Sequence, residues 1–391
     1  MVLDRLPRTA TGKLDYKALP SPEERSTPFR SPSTPLEATV CDAFTQTLGI
    51  ERTGLDDGFF TLGGNSLTAT QLVVRLEEST GITVPMQWIF TDPTPQSLAH
   101  RIETRLHGLE EHDPGDALTV MLPLRAAGTE PPLFCIHPAV GLAWGFSGLV
   151  QHLDPDRPVH GLQSPALTDP TARFDTLDQL AARYVREIRS VQPHGPYHLL
   201  GYSLGGTIAH TIAIQLHNDG DPVTTLAMMD TRVVTAHTTR TPTPTIGEFV
   251  EMLAEFGGLA VPQGPDDVTI KAAAESLQKR GGPFTAVTPE HLAIVHRDYT
   301  RLVDLTWNHR PALFDGDLIY FSATDHTDDG PSPAHAWKNY ITGRITEHHI
   351  PAQHVRMTDP DALRAIGLVL SEHFRNTLTT SPEPATSART R

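Results

Sequence analysis

The stretch "YHLLGYSLGG" (residues 197–206) decides the fold class of the larger part of this chain. Its apolar beginning predicts a buried strand, and the G-x-S-x-G pattern at its end predicts a sharp turn into a helix. Gly201 and Gly205 let that turn pack tightly and push the Ser203 hydroxyl out above a sheet. A strand–turn–helix context makes a nucleophile elbow a better interpretation than a serine that only caps a helix.

Short apolar runs alternate with helical patterns around this elbow, from residue 118 to residue 378. Leu177, Leu180, Tyr184 and Ile188 repeat at helical spacing, for example. The alternation predicts an α/β domain with a mostly parallel sheet and helices on both faces. The predicted strands are "PLFCIHP" (132–138), "PVHGLQS" (158–164), "YHLLGYS" (197–203), "VTTLAMMDT" (223–231), "GDLIYFSA" (316–323) and "ITEHHIP" (345–351).

A nucleophilic serine needs a histidine base, and the histidine needs a carboxylate to fix its tautomer. His354 lies between the last predicted strand and the final helix, where this fold usually places the base. Asp230 and Asp325 both end strands at the same edge of the sheet, and spacing alone does not decide between them. His348 and His349 fall inside a strand and are interpreted as packing or surface residues.

The developing oxyanion requires backbone donors. The N–H of Leu204, at the start of the helix after Ser203, is one candidate. The loop "HPAVG" (137–141) should supply the other from Ala139, because Pro138 has no N–H. Residues 236–310 make an unusually long connection with helical patterns, which predicts a helical lid over the serine.

A second serine, Ser66, lies in "FFTLGGNSL" (59–67) within a small helical domain predicted over residues 36–107. No histidine is close to it in sequence, so it is either a helix cap or an attachment point. Phe59 and Phe60 should anchor the loop before it, and Gly81 should close the helix that it starts.

The net charge and the cysteine content limit the classes of function. A formal net charge of −15 argues against nucleic acid or an anionic membrane as the main partner. Two cysteines, Cys41 and Cys135, fall in different predicted domains, which favours free thiols and a cytoplasmic location. No metal site is predicted. Residues 21–35 and 108–117 are predicted to be linkers, and residues 379–391 a disordered tail.

Three segments of the chain resemble parts of one protein family, and they occur in the order in which that family has them. "LDRLPRTATGKLDYKALP" (3–20) looks like the C-terminal end of an amino-acid adenylation domain. "DGFFTLGGNSL" (57–67) resembles the attachment motif of peptidyl carrier domains, and residues 118–378 resemble the terminal thioesterase of nonribosomal peptide synthetases. The resemblance implies a small four-helix carrier followed by an α/β-hydrolase.

The resemblance also implies roles for particular residues. Ser66 would carry 4′-phosphopantetheine, attached by a separate phosphopantetheinyl transferase. Ser203, Asp230 and His354 would be nucleophile, acid and base, which favours Asp230 over Asp325. Lys13 matches the adenylation lysine, but residues 1–20 are only a remnant of that domain and should be inactive.

One position departs from the family pattern: Ala352 stands where a glycine is frequent, and alanine should be tolerated if φ stays negative. The expected partners are the transferase, upstream condensation and adenylation domains, and a peptidyl thioester. Release could be hydrolysis, cyclisation or oligomerisation. Two alternatives stay open: an esterase or lipase of free substrates with an appended helical domain, and a passive carrier whose hydrolase-like part only docks.

Overall fold

A computed structural model gives the three-dimensional structure of the chain. It describes residues 29–64, 66–82, 84, 88–89, 93–106, 119–234, 243–256, 269–279, 288–325 and 332–380. Residues 1–20 (with Lys13), most of the first predicted linker, the second predicted linker (108–117) and residues 381–391 lie outside the described residues. So do parts of the predicted lid.

The small domain contains three described helices, α1 (Pro35–Leu48), α2 (Ser66–Thr80) and α3 (Pro95–Leu106). Helix α1 begins with a capping box, in which the Thr34 hydroxyl accepts from the Glu37 N–H and the Glu37 carboxylate accepts from the Thr34 N–H. The expected closure of α2 at Gly81 is confirmed, since this glycine has φ +71° and its N–H donates to the Glu77 carbonyl. Residues 88 and 89 are helical, and residues 85–87 and 90–92 around them lie outside the described residues.

Phe59 and Phe60 anchor the loop between α1 and α2, as expected. Both are buried, and the Phe59 ring packs edge-to-face on Phe44 and on Phe60, with 5.3 Å between centroids in each pair. Edge-to-face pairs of this kind contribute beyond the apolar area they bury. The loop that leads to Ser66 is therefore held on the core of the small domain.

The larger domain is built on a seven-stranded sheet with strand order β1-β3-β2-β4-β5-β6-β7. Strand β1 pairs antiparallel with β3, and the other neighbours are parallel. The six strands expected from the sequence are confirmed, and β1 is an addition. The strands are β1 (Met121–Arg125), β2 (Leu133–Ile136), β3 (Val159–Leu162), β4 (Tyr197–Tyr202), β5 (Val223–Met229), β6 (Leu318–Ala323) and β7 (Ile345–Ile350).

Helices cover both faces of this sheet. Successive residues of a strand point to opposite faces, so neighbouring residues of β4 pack on different helices. Leu199 of β4 packs with α4 (Leu177–Val191) and α5 (Leu204–Asn218). Leu200, the next residue, packs on the opposite face with α10 (Pro360–Thr380) and the 3-10 helix Trp144–His152. A short helix, α9 (Pro333–Ala336), precedes β7.

Between β5 and β6 the described residues form three further helices: α6 (Ile246–Phe256), α7 (Ile270–Lys279) and α8 (Pro289–Asn308). They share an apolar cluster with Val140 and Leu142, which follow β2 in the loop at the C-terminal edge of the sheet. The long connection thus packs over the edge where β4 ends at Ser203.

The small domain contacts the larger one through α2 and the 3-10 helix Trp144–His152. A Cβ atom added at Gly63 would lie 3.7 Å from the side-chain oxygen of Gln151, so the loop before α2 also lies close to this 3-10 helix.

In the described part of the chain, no helix combines the length and the apolar composition needed to cross a membrane.

Candidate active site

Ser203 occupies a strained turn between β4 and α5, with φ 56° and ψ −123°. Positive φ is unfavourable for a residue with a Cβ atom and persists only where the surroundings enforce it. Here the Ser203 N–H donates to the Met229 carbonyl at 2.8 Å, which fixes the turn to β5. The side chain is consequently presented at the C-terminal edge of the sheet.

The glycines of the elbow are required by close backbone contacts. A Cβ atom on Gly201 would overlap the backbone of Gly205, and one on Gly205 would overlap the carbonyl oxygens of Ile136 and His137. Helix α5 can therefore start directly against β2 only because these positions lack side chains. The close approach brings the Leu204 N–H and the loop after β2 together.

The side chain of His354 contacts both other residues of the candidate triad, Ser203 and Asp230. Its Nε2 lies 3.0 Å from Ser203 Oγ, and its Nδ1 lies 2.6 Å from Asp230 Oδ2. Since the carboxylate can only accept, Nδ1 carries the proton and Nε2 is free to accept from the serine hydroxyl. This is the tautomer that a general base requires.

Asp230 is 2% exposed and has φ 44°, the second positive φ outside glycine among the described residues. Its Oδ1 accepts from the Ala323 N–H at 3.3 Å, so both carboxylate oxygens are hydrogen bonded. Strain and burial together hold this carboxylate towards the imidazole.

Asp325 is the other candidate for the acid, and the structure describes its backbone contact. Asp325 is exposed, and its N–H donates to the Ala352 carbonyl at 3.2 Å, which ties together the ends of β6 and β7. Ala352 has no positive φ, so the expectation that alanine is tolerated there is confirmed. His348 packs its ring near Phe321 at 5.7 Å between centroids, as expected for a packing residue.

A cavity of about 450 Å³ opens at Ser203. Ala139 and Leu204 line it, and among the described residues neither backbone N–H donates to a protein acceptor. Both N–H groups are thus available beside the serine for an oxyanion. The other lining residues are Thr207, Asp230, Arg232, Tyr299, Val303, Thr306, Trp307 and His354.

Sequence reasoning missed several residues at this site. The hydroxyl of Tyr202 donates to the His354 carbonyl and so holds the loop that carries His354. The only sequence signal for this role is that Tyr202 directly precedes Ser203. Thr306 and Trp307 form the wall supplied by α8. Their sequence carries no signal, because packing decides which face of a helix borders a cavity.

Ser66 is the first residue of α2, a helix of 15 residues with no acidic residue in its first turn. Gly63, with φ +98°, and Gly64, where a Cβ would overlap the Phe59 ring, shape the loop before it. Free N–H groups at a helix start favour an anion. The position at the start of α2 therefore suits a phosphodiester.

Comparison with known protein families gives two matches. Residues 131–368 match the family described as "Thioesterase domain", and residues 38–102 match the family described as "Phosphopantetheine attachment site". The two matches fall on the larger and the small domain respectively.

Curated relatives match along nearly the whole chain. A dimodular nonribosomal peptide synthase of Bacillus subtilis (strain 168) is 36% identical over 373 residues, which are 95% of this chain and 15% of that protein. Enterobactin synthase component F of Escherichia coli (strain K12) is 33% identical over 374 residues, 94% of this chain and 27% of that protein. The chain thus spans less than a third of either relative.

Two solved structures also resemble this chain. A holo four-domain nonribosomal peptide synthetase bound to AMP and glycine has a TM-score of 0.60 and 26% identity, covering 97% of this chain and 29% of that one. The Vlm2 thioesterase domain has a TM-score of 0.53 and 20% identity, covering 65% of this chain and 97% of that one. The second likeness concerns the fold alone, which is of the α/β-hydrolase type.

Proposed function

The chain belongs to the thioesterase domain family, and from this premise we propose that it is the carrier–thioesterase part of a nonribosomal peptide synthetase. It takes a peptidyl thioester from phosphopantetheine on Ser66 onto Ser203, and it releases the peptide. The observation that carries the proposal is the hydrogen-bonded series Ser203–His354–Asp230 facing a cavity, in one chain with a phosphopantetheine attachment domain.

Acyl transfer begins with His354. Its Nε2 accepts the proton of the Ser203 hydroxyl while Oγ forms a bond to the thioester carbonyl carbon. The N–H groups of Ala139 and Leu204 stabilise the negative charge on the carbonyl oxygen, and the dipole of α5 adds to this. When the C–S bond breaks, His354 donates its proton to the departing sulfur and an ester remains on Ser203.

Release uses the same groups in reverse. His354 removes a proton from water, or from an amine or hydroxyl of the peptide, and that nucleophile attacks the ester carbonyl. As the bond to Oγ breaks, His354 returns the proton to Ser203. Asp230 stays ionised throughout and stabilises the imidazolium.

The small domain carries 4′-phosphopantetheine covalently. We assign the attachment to the Ser66 hydroxyl, at the start of α2, where helix N–H groups favour the phosphate. This group supplies a flexible arm with a thiol that holds the acyl chain as a thioester. Because the arm and Ser203 belong to one chain, delivery is intramolecular and needs only a weak contact between domains.

We assign helices α6, α7 and α8 to a lid. Tyr299, Val303 and Trp307 of α8 border the cavity and give it an apolar wall suited to a peptidyl group. A cover of this kind excludes water from the ester on Ser203, which favours an intramolecular nucleophile when one is in reach. The partners are a phosphopantetheinyl transferase and the upstream condensation and adenylation domains.

The test loads Ser66 with a synthetic peptidyl-pantetheine, by means of a phosphopantetheinyl transferase, and follows the released products by mass spectrometry. The wild-type chain should release the peptide as acid, ring or oligomer. Ser203→Ala should stay loaded, whereas Ser190→Ala, at an exposed serine of α4, should release normally. Release by Ser203→Ala at the wild-type rate would contradict the proposal.

A further inference from the structure

The peptide group between Pro138 and Ala139 is held through its carbonyl oxygen. The Pro138 oxygen accepts from the Gly141 N–H at 2.9 Å and interacts with Nδ1 of His137 at 2.6 Å. The Ala139 N–H belongs to the same peptide group. A trans peptide is planar, with its C=O and N–H pointing in opposite directions. Whatever fixes the Pro138 carbonyl therefore also fixes the direction of the Ala139 N–H.

The imidazole of His137 is fully buried and has hydrogen-bond partners on both nitrogens. Since the Pro138 carbonyl can only accept, Nδ1 must carry the proton. Nε2 then accepts from the hydroxyl of Tyr184, 2.6 Å away. Tyr184 lies on α4 and is also fully buried, so the ring of His137 is tied to a packed helix.

The protonation states agree with this assignment. Burial lowers the pKa of His137 to about 4, so the ring is neutral near pH 7 and Nε2 has a free lone pair. Burial raises the pKa of the Tyr184 hydroxyl, so it remains a donor. A charged imidazole would donate from Nε2, and the Tyr184 hydroxyl would then have to accept this bond instead of donating it.

We propose that His137 and Tyr184 are positioning residues, which aim the Ala139 N–H at the oxyanion through the shared peptide group of Pro138 and Ala139. The inference rests on the proposed function, in which this N–H is an oxyanion donor. Neither side chain lines the cavity at Ser203, so neither touches substrate. Their contribution should appear in the transition state and not in substrate binding.

Two substitutions of His137 test the contacts of Nδ1 and of Nε2 separately. In His137→Asn the side-chain amide nitrogen can take the place of Nδ1 and still donate to the Pro138 carbonyl. In His137→Gln the amide lies near the position of Nε2, so the Tyr184 contact is kept and the Pro138 contact is lost. Tyr184→Phe keeps the packing of α4 but removes the hydroxyl.

The readouts are kcat and KM with a soluble peptidyl thioester, the rate of Ser203 labelling by a fluorophosphonate, and the melting temperature. His137→Gln should lose at least about tenfold in kcat and in labelling rate, with KM unchanged. His137→Asn keeps the Pro138 contact but loses the Tyr184 contact, so its kcat should fall by only a few-fold. Tyr184→Phe should lose a few-fold in kcat at unchanged KM.

Equal losses in His137→Asn and His137→Gln, or losses that appear in KM, would overturn the inference and leave a packing role. If His137→Gln melts too low to assay, Tyr184→Phe decides: wild-type kcat would then overturn it. Ser203→Ala serves as the reference. Full activity in that variant would refute the proposed function itself, whereas an inactive Ser203→Ala beside a fully active His137→Gln would refute only this inference.

Discussion

The Nδ1 atom of His354 lies 2.6 Å from Oδ2 of Asp230, although 124 residues separate the two in sequence. Asp230 directly follows β5, and His354 follows β7. Between these strands lies β6, whose Ala323 N–H donates to the other oxygen of the same carboxylate. The sheet thus holds the acid from two sides.

Asp230→Asn should lower acyl transfer by about 10⁴-fold, because an amide in this place favours the wrong imidazole tautomer. Asp325→Asn is the matched control, since Asp325 is exposed at the end of the neighbouring strand, and it should change the rate by less than about twofold. The measurement is kcat with a soluble peptidyl thioester. A large loss in Asp325→Asn with little in Asp230→Asn would reverse the assignment of the acid.

Ser66→Ala should abolish the mass gain produced by a phosphopantetheinyl transferase, and with it the turnover of carrier-loaded peptide. Cleavage of a soluble peptidyl thioester should stay within about twofold of wild type, because Ser66 lies in the small domain, outside the lining of the cavity. Mass spectrometry and a thiol-release assay measure the two effects separately. Loss of the soluble activity would show that the two serines do not have separate roles.

Gly205→Ala should destabilise the larger domain by about 2 kcal/mol or more, since a Cβ there overlaps backbone carbonyl oxygens that have little freedom to move. Gly220→Asn, at the opposite end of α5, is the control. Gly220 has φ +87° with nothing within 4 Å of a Cβ, and asparagine tolerates that backbone conformation. Urea unfolding gives the two free energies, and equal costs would argue against close packing of α5 on β2.

Acid should unfold the larger domain before its carboxylates are fully protonated. Mainly through burial, the pKa of His137, of His160 and of His210 is lowered to about 4, and that of His198 to about 3. An unfolded histidine titrates near 6.5, so from about pH 6.5 down to 4 the unfolded state binds more protons and the free energy of unfolding falls.

Each of these histidines should contribute about 1.4 kcal/mol per pH unit within that window. Urea midpoints measured from pH 7.5 to pH 4.5 give the slope. His160→Gln should make it shallower, and His194→Gln, at a side chain that is 90% exposed, should leave it unchanged. A midpoint that stays constant over this range would contradict the prediction.

Much of the fold followed from local patterns. The six strands, the helix over residues 177–191 and the elbow at Ser203 were all expected, because hydrophobic periodicity and turn chemistry act over a few residues. Strand β1 was missed. It is a short antiparallel edge strand that contains Pro123, and prolines of this kind weaken the strand pattern while remaining compatible with an edge.

The sequence by itself determined the order of the domains, the two serines with their glycines, and the position of His354 after the last strand. Spacing left Asp230 and Asp325 open as the acid, and no local pattern indicated the contact between Tyr184 and His137 or the α8 wall of the cavity. Tertiary structure brings Asp230 to the imidazole of His354 and α8 to the cavity. Hydrogen bonds over 124 or 151 residues depend on which strands are neighbours and on which helix face packs inwards, and both are fixed by burial of the whole core, not by any local pattern.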